Sequence, residues 1–210
     1  MRKITVLNPK GGCGKTTVAT GLASWLASID YSVGLADLDP QQSSNDWLDM
    51  RPEEYPTIEK VGKGKKSPGD IDFLIVDAPA AISGAPLSNL VRSTETILVP
   101  MLPSPIDMRA GYRFLEHLFG FKQVADGKTK VGLVANRVNE RTLVYKELVG
   151  FLGHYKAPFV AHLRESMNYI RAFEQGLGVG DLPYYRAWKD WEEWESMEKW
   201  VKSKKSQPKA

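Results

Sequence analysis

Cysteine occurs once in this 210-residue chain, at Cys13. A lone cysteine excludes an internal disulfide and any multi-cysteine metal or iron–sulfur centre built by this chain alone, and it suits a reducing compartment. Long apolar runs are also missing. No stretch approaches the ~20 apolar residues of a membrane span, and the apolar run Ile4–Leu7 is too short for a secretion signal. Excess charge of one sign is small: a net charge of +3 and a pI near 8.8 permit contact with nucleic acid without arguing for it. Internal repeats and low-complexity segments are absent. What remains, with 42% hydrophobic residues, is enough to bury the core of one α/β domain, and a cytoplasmic location is expected.

Against this background residues 8–17 stand out: Asn-Pro-Lys-Gly-Gly-Cys-Gly-Lys-Thr-Thr. The ordinary phosphate-loop pattern is Gly, four residues, then Gly-Lys-Ser/Thr. Here Pro9 stands in place of the first glycine, and an additional lysine, Lys10, precedes Gly11. A bound triphosphate brings several negative charges against backbone, so the chain must curl with its N–H groups inward, which Gly11, Gly12 and Gly14 allow because they lack a Cβ. The loop then opens a helix whose positive end adds to the site. Lys15 is placed to reach the β- and γ-phosphates, Thr16 to coordinate Mg²⁺, and Thr17 to donate to the α-phosphate. Cys13 occupies the variable loop position, where it acts as a small filler contributing its N–H; the helix N-terminus is expected to lower its pKa.

Strand-like apolar runs alternate with helical stretches along the chain. The strands are expected at Ile4–Leu7, Val33–Ala36, Phe73–Val76, Ile97–Val99, Val131–Ala135 and Pro158–His162. The helices are expected at Thr16–Ser28, Ser43–Met50, Leu87–Ser93, Met108–Phe119, Leu143–Leu152 and Ser166–Gln175. Strands apolar on both faces require a mostly parallel twisted sheet covered by helices on two sides, with right-handed crossovers. The irregular stretch Arg51–Asp70 is expected to be a solvated loop with a short edge strand near Thr57–Val61. In such a sheet the ligand lies at the carboxyl ends of the strands, and those ends carry Asp37-Leu38-Asp39-Pro40-Gln41, Asp77-Ala78-Pro79, Pro103-Ser104-Pro105 and Asn136-Arg137.

Asp77 ends an apolar strand, as a Walker B aspartate holding Mg²⁺ would. Asp37 and Asp39 lie two residues apart and point to the same side if the strand persists. One of them could serve Mg²⁺ while the other orients the attacking water. Asp39 lies further beyond the strand end and is assigned the water, and Asp37 is the better candidate for a structural turn residue.

Lys10-Gly-Gly-Cys-Gly-Lys15-Thr-Thr, Asp37-x-Asp39-Pro40-Gln41, the Asp77 strand and Pro103-Ser104-Pro105-x-Asp107 together resemble the ParA/MinD family of deviant Walker-box ATPases. The resemblance is closest to short ParA-type proteins without an N-terminal DNA-binding extension. It implies a P-loop NTPase domain over residues 1–201, followed by a disordered lysine-rich tail over 202–210. ATP would close two subunits into a sandwich homodimer in which Lys10 reaches the partner's phosphates, and ATP hydrolysis would be weak and partner-stimulated. Asp39 would support hydrolysis, Asn136 would contact adenine, and Asp39 and Asp77 would sit near Mg²⁺.

Members of the family divide between DNA and membrane as the surface the dimer binds. Trp188, Trp191, Trp194 and Trp200 suggest a membrane anchor at first sight. Spacing by three, however, drifts about 60° per step on a helix of ~3.6 residues per turn, and Asp190, Glu192, Glu193, Glu195 and Glu198 crowd the same turns, where anionic lipid would repel them. The segment is therefore expected to pack on its own domain, without stable membrane insertion. Arg164, Arg171, Arg186 and Lys189, with the Lys60–Lys66 loop behind them, are the candidates for non-specific DNA contact. The function expected is an ATP-dependent, nucleoid-associated positioning switch released by a ParB-like or cargo-adaptor protein, its cargo a plasmid or a protein body such as a carboxysome or chemoreceptor cluster. A MinD-like membrane regulator and a P-loop metabolic enzyme are the alternatives.

Overall fold

The structure, a computed structural model, describes residues 1–62, 70–155 and 157–208. Lys63, Lys65 and Lys66 of the lysine-rich loop lie outside the described residues. The elements run β1 (Arg2–Val6), α1 (Lys15–Ser28), β2 (Val33–Asp37), α2 (Ser43–Asp49), β3 (Ile58–Lys60), β4 (Phe73–Asp77), α3 (Gly84–Arg92), β5 (Thr96–Met101), α4 (Pro105–Phe119), α5 (Lys122–Ala125), β6 (Lys130–Val138), α6 (Leu143–Leu152), β7 (Phe159–Arg164), α7 (Met167–Phe173) and α8 (Tyr184–Lys202). All the strands join one seven-stranded sheet in the order β3-β2-β4-β1-β5-β6-β7, and every pairing is parallel. The expected short edge strand is present as β3.

Strand order reverses at β1, which lies between β4 and β5. The chain leaving β1 therefore emerges in the crevice where an open parallel sheet binds its ligand. The β1, β2 and β4 ends are in register, with Asp77 opposite both Val6 and Asp37. Two apolar layers cover the sheet. One combines Leu22 and Leu26 of α1 with Trp194, Met197 and Val201 of α8; the other combines Leu87 of α3, Phe114 and Leu118 of α4, and Leu148 of α6.

The tryptophans of α8 mostly turn inward. Trp194 is fully buried and stacks beside Trp25, ring centroids 6.3 Å apart, and Trp191 meets the same Trp25 edge-on at 5.1 Å. Close approach of α1 and α8 depends on Gly21, where a Cβ would come within 2.7 Å of the Trp194 ring. Trp188 alone of the four is exposed; it follows Ala187, whose φ of −126° interrupts the helix. The charged residues of α8 are partly used in docking as well. Asp190 is fully buried and pairs with Arg164 at 2.7 Å, and Glu193 accepts the Arg164 N–H at 2.8 Å.

The tail does not behave as the lysine content suggests. Residues 204–206 form a 3-10 turn in which Ser206 is buried and takes a 3.0 Å bond from the Arg2 guanidinium. One satisfied hydroxyl against β1 and β5 offsets the solvation preference of its lysine neighbours, so order extends past Lys202.

Trp194→Ala should lower unfolding stability by ~3–5 kcal/mol in urea denaturation, the usual cost of emptying a buried aromatic site. Burial pushes the Glu193 carboxyl from 4.5 up to about 7. The folded state then binds more protons than the unfolded chain between those values, so this group's contribution to stability is lost as pH rises through that window. Replacing it by glutamine should remove that part of the decline when unfolding curves of the two proteins are compared from pH 4 to 8.

Candidate nucleotide site

The loop between β1 and α1 adopts the curl its glycines permit, with Gly12 at φ 77° and Gly14 at φ 89°. Added Cβ atoms at Gly11 or Gly12 would meet nothing within 4 Å, so the outer side of the loop is an open cradle. Beneath it the packing is tight. Asn136, at the end of β6, is buried and donates through Nδ2 to the Cys13 carbonyl at 2.9 Å, and a Cβ on Gly14 would fall 2.0 Å from that nitrogen. The observed contact of Asn136 is thus with the loop itself. Asn8 braces the other end, donating to Pro100 O at 2.8 Å and accepting the Lys10 N–H at 3.0 Å. Pro9 also holds a neighbour, its carbonyl taking the Ala81 N–H at 2.8 Å.

The two lysines of the loop are held differently. Lys15 is buried, and its ammonium crosses the loop to the Lys10 carbonyl at 3.0 Å. Lys10 directs its ammonium to the buried carboxylate of Asp107 on α4, 2.6 Å away, and remains about one-third exposed. Asp107 also takes part in capping α4: its N–H donates to Ser104 Oγ at 3.1 Å, and the Ser104 hydroxyl donates to its carboxylate. Cys13 is buried with Sγ against the Lys10 carbonyl. Burial raises its thiol pKa and outweighs the opposing pull of Lys15, which corrects the expectation of a lowered value.

Asp77 is the pivot of the acidic side. One oxygen, Oδ2, accepts the Thr16 hydroxyl at 2.7 Å and the Ser44 hydroxyl at 2.6 Å. The other, Oδ1, is buried and finds no partner among the described residues. Burial pushes the Asp77 carboxyl up from 3.8 to about 6, against the hydrogen bonds from Ser44 and Thr16. Asp37 accepts the N–H groups of Ser44 and Asn45 at 2.9 and 3.2 Å and that of Asp39 at 2.9 Å. It therefore caps α2 and shapes the turn, the structural role expected of it. Asp39 binds the Gln41 N–H at 2.9 Å and the Ala80 N–H at 3.1 Å, which joins the loop after β2 to the loop after β4.

The orphaned Asp77 oxygen, the Thr16 hydroxyl beside it and the open loop above fit Mg²⁺ carried in with phosphates. Among the described residues no group of three or more His, Cys, Asp or Glu side chains forms a metal cage. Ser44, Asn8 and Asp107 were not assigned roles in the site from the sequence, although Ser44 lies only a few residues past the Asp-x-Asp segment and Asp107 lies within the quoted Pro-Ser-Pro-x-Asp motif.

The basic candidates for nucleic acid fare unequally. Arg164 is tied to buried Asp190, a structural pairing that withdraws it from the set. Lys60 pairs with Asp49 at 2.7 Å on β3, at the opposite edge of the sheet from β7. Arg171, Arg186 and Lys189 are exposed on α7 and the start of α8, which Asn168 joins by donating to the Arg186 carbonyl and to Asp190.

A parallel sheet whose reversal strand feeds a glycine loop and helix, with a threonine–aspartate pair beneath the loop, defines a P-loop nucleotide-binding protein. More narrowly, the chain belongs to the CobQ/CobB/MinD/ParA nucleotide-binding family, whose domain model matches residues 4–179. It is 29% identical over 189 residues to maintenance of carboxysome distribution protein A of Halothiobacillus neapolitanus, an alignment covering 85% of this chain and 87% of that one. Its fold is similar to the McdA–ATP complex of a Cyanothece variant, with a TM-score of 0.73, 18% identity and coverage of 94% and 96% of the two chains. It is equally similar to the MinC:MinD cell division complex of Aquifex aeolicus, with a TM-score of 0.73, 16% identity and coverage of 97% and 96%. No described helix is long and apolar enough to cross a membrane.

Thr16→Ala and Asp77→Asn should each weaken ATP binding at least ten-fold with Mg²⁺ present and change it little in a chelator. Titration with a fluorescent ATP analogue under both conditions measures the difference.

Proposed function

We propose that the protein is an ATP-driven positioning switch that dimerises around ATP, binds DNA without sequence choice in that state, and releases when a cargo-bound partner stimulates hydrolysis. The observation that carries this reading is the opposite setting of the two loop lysines. Lys15 turns into the cradle, where Gly11, Gly12, Gly14, Lys15, Thr16 and Thr17 would hold the phosphates. Lys10 turns instead to buried Asp107 and keeps about one-third of its side chain exposed, from where it could swing to a second copy facing this one. Such a lysine adds nothing to its own cradle, and its use is explained by a facing site.

Within that dimer, Asp39 orients the attacking water, and the base lies on the Asn136 side of the loop. Thr16 and Asp77 hold Mg²⁺, which when bound neutralises charge developing on the phosphoryl oxygens. Asp39 is tied to Ala80, so a change at the γ-phosphate position would move the loop after β4 with it. DNA is met by Arg171, Arg186 and Lys189, and nucleoid association follows. Likeness over most of its length to a carboxysome distribution protein favours a protein body as cargo over a plasmid, with a ParB-like or adaptor protein as partner. The inward packing of Trp191, Trp194 and Trp200 speaks against a membrane-inserting tail.

Lys15→Ala should abolish ATP-dependent retention on duplex DNA in a filter assay, with wild-type retention falling as salt rises. Asp39→Ala should accumulate a dimer on ATP in size-exclusion chromatography; ordinary ATP turnover by that variant would remove Asp39 from the hydrolytic role.

A further inference from the structure

The sheet ends at β7, whose outer side borders a groove of about 890 Å³. β7 forms one wall, α8 from Trp188 to Ser196 forms the other, and residues 138–141 contribute one end. The backbone shows which way the strand edge faces. Glu165 sends its N–H to Val138 O on β6, whereas the preceding Arg164 N–H points outward to Glu193. Alternation along a strand then puts the His162 N–H and C=O on the outward side with those of Arg164. An open edge of this kind is a template for another strand, and Glu193 occupies one of its donors.

The walls carry a surplus of carboxylates. Glu140, Glu165, Glu192 and Glu193 line the groove, as do Arg141, Arg164 and Lys189. Arg164 is engaged by buried Asp190, Lys189 keeps its charge over the Trp188 ring, 5.1 Å from its centroid, and Glu165 faces Arg137 at 4.0 Å, which leaves Glu140, Glu192 and Glu193 against Arg141 and Lys189. Glu193 is half-buried, and Asp190 adds to the burial that holds it partly protonated. A cation brought beside it would favour its charged form. The exposed face of Trp188 offers an apolar wall for the aliphatic stem of a lysine or arginine.

We infer that this groove binds an extended, lysine- or arginine-bearing segment of a partner protein, added as a further strand on β7 with its cations against Glu193 and Glu140. The pairing of β7 shifts register between Phe159 and Ala161, so the regular edge runs over residues 161–164 and at ~3.3 Å per residue spans ~13 Å, enough for a segment of about four residues. The site goes beyond the switch proposed above, because it names a surface and a partner chemistry independent of the nucleotide.

The test uses the whole protein, a fluorescein-labelled peptide alternating lysine with valine, and its glutamate–valine counterpart, read by anisotropy and by amide exchange of residues 160–165. The lysine peptide should bind at least ten-fold more tightly than the glutamate peptide and slow exchange along β7. Combined Glu140→Gln and Glu193→Gln should weaken it ten-fold or more. Glu192→Lys, at an exposed position on α8, should weaken it too and guards against misfolding of the double variant. Lys15→Ala should bind the peptide as the wild type does, so this inference and the nucleotide reading fail separately. Equal binding of the two peptides, unchanged exchange in β7, or undiminished binding by the groove variants would each overturn it.

Discussion

A carboxylate with one satisfied oxygen and one orphan organises this molecule. Asp77 sits at the end of a central strand, takes the hydroxyl of Thr16 from α1 and that of Ser44 from α2, and so fastens the helices that follow β1 and β2 to β4. Keeping a second oxygen buried without a partner is costly, and the raised proton affinity of the group registers that cost. Around it β1, β2 and β4 lie in register, with buried apolar side chains on both faces. In the function proposed above, a metal arriving with the nucleotide would relieve that cost, which would link occupancy of the loop to the placing of α2 through the Ser44 hydroxyl.

The loop after β2 extends this coupling outward. Asp37 fixes the first turn of α2 while Asp39 holds the Ala80 N–H, and Ala81 in turn donates to Pro9. The loops after β2, β4 and β1 are thus linked in series, Asp39 to Ala80 and Ala81 to Pro9. A proline at position 9 costs no hydrogen bond there, since only its carbonyl is used.

Much of this was legible in the sequence for physical reasons. Strands apolar on both faces can belong only to a covered parallel sheet, and glycine, lysine and threonine at this spacing are required for a phosphate cradle, so β1, α1, β4 and the Asp77 position could be read directly. Asp37 ends the strand and accepts backbone N–H groups of α2, and Asp39 beyond it accepts those of Gln41 and Ala80. The misses share a cause, which is that polar side chains choose partners by three-dimensional proximity. Arg164 looked like a free cation until Asp190, far along the chain, was found buried beneath it. Ser206 looked like part of a solvated lysine tail until it met Arg2. Cys13 stands at a helix start, which by itself lowers a thiol pKa, but the burial that overrides this depends on the loop closing over it.

The meeting of Arg2 with Ser206 has a practical side. The guanidinium also reaches Thr96 Oγ1 at 3.1 Å and the Val201 carbonyl, so both ends of the described chain lie together at the amino ends of β1 and β5. The phosphate loop leaves the opposite end of β1. A fluorescent reporter joined beyond either end would therefore project from the back of the sheet, well separated from the cradle and from any copy facing it. The same adjacency makes the chain suited to circular permutation, with a short linker joining the present ends and new ones opened in a surface loop.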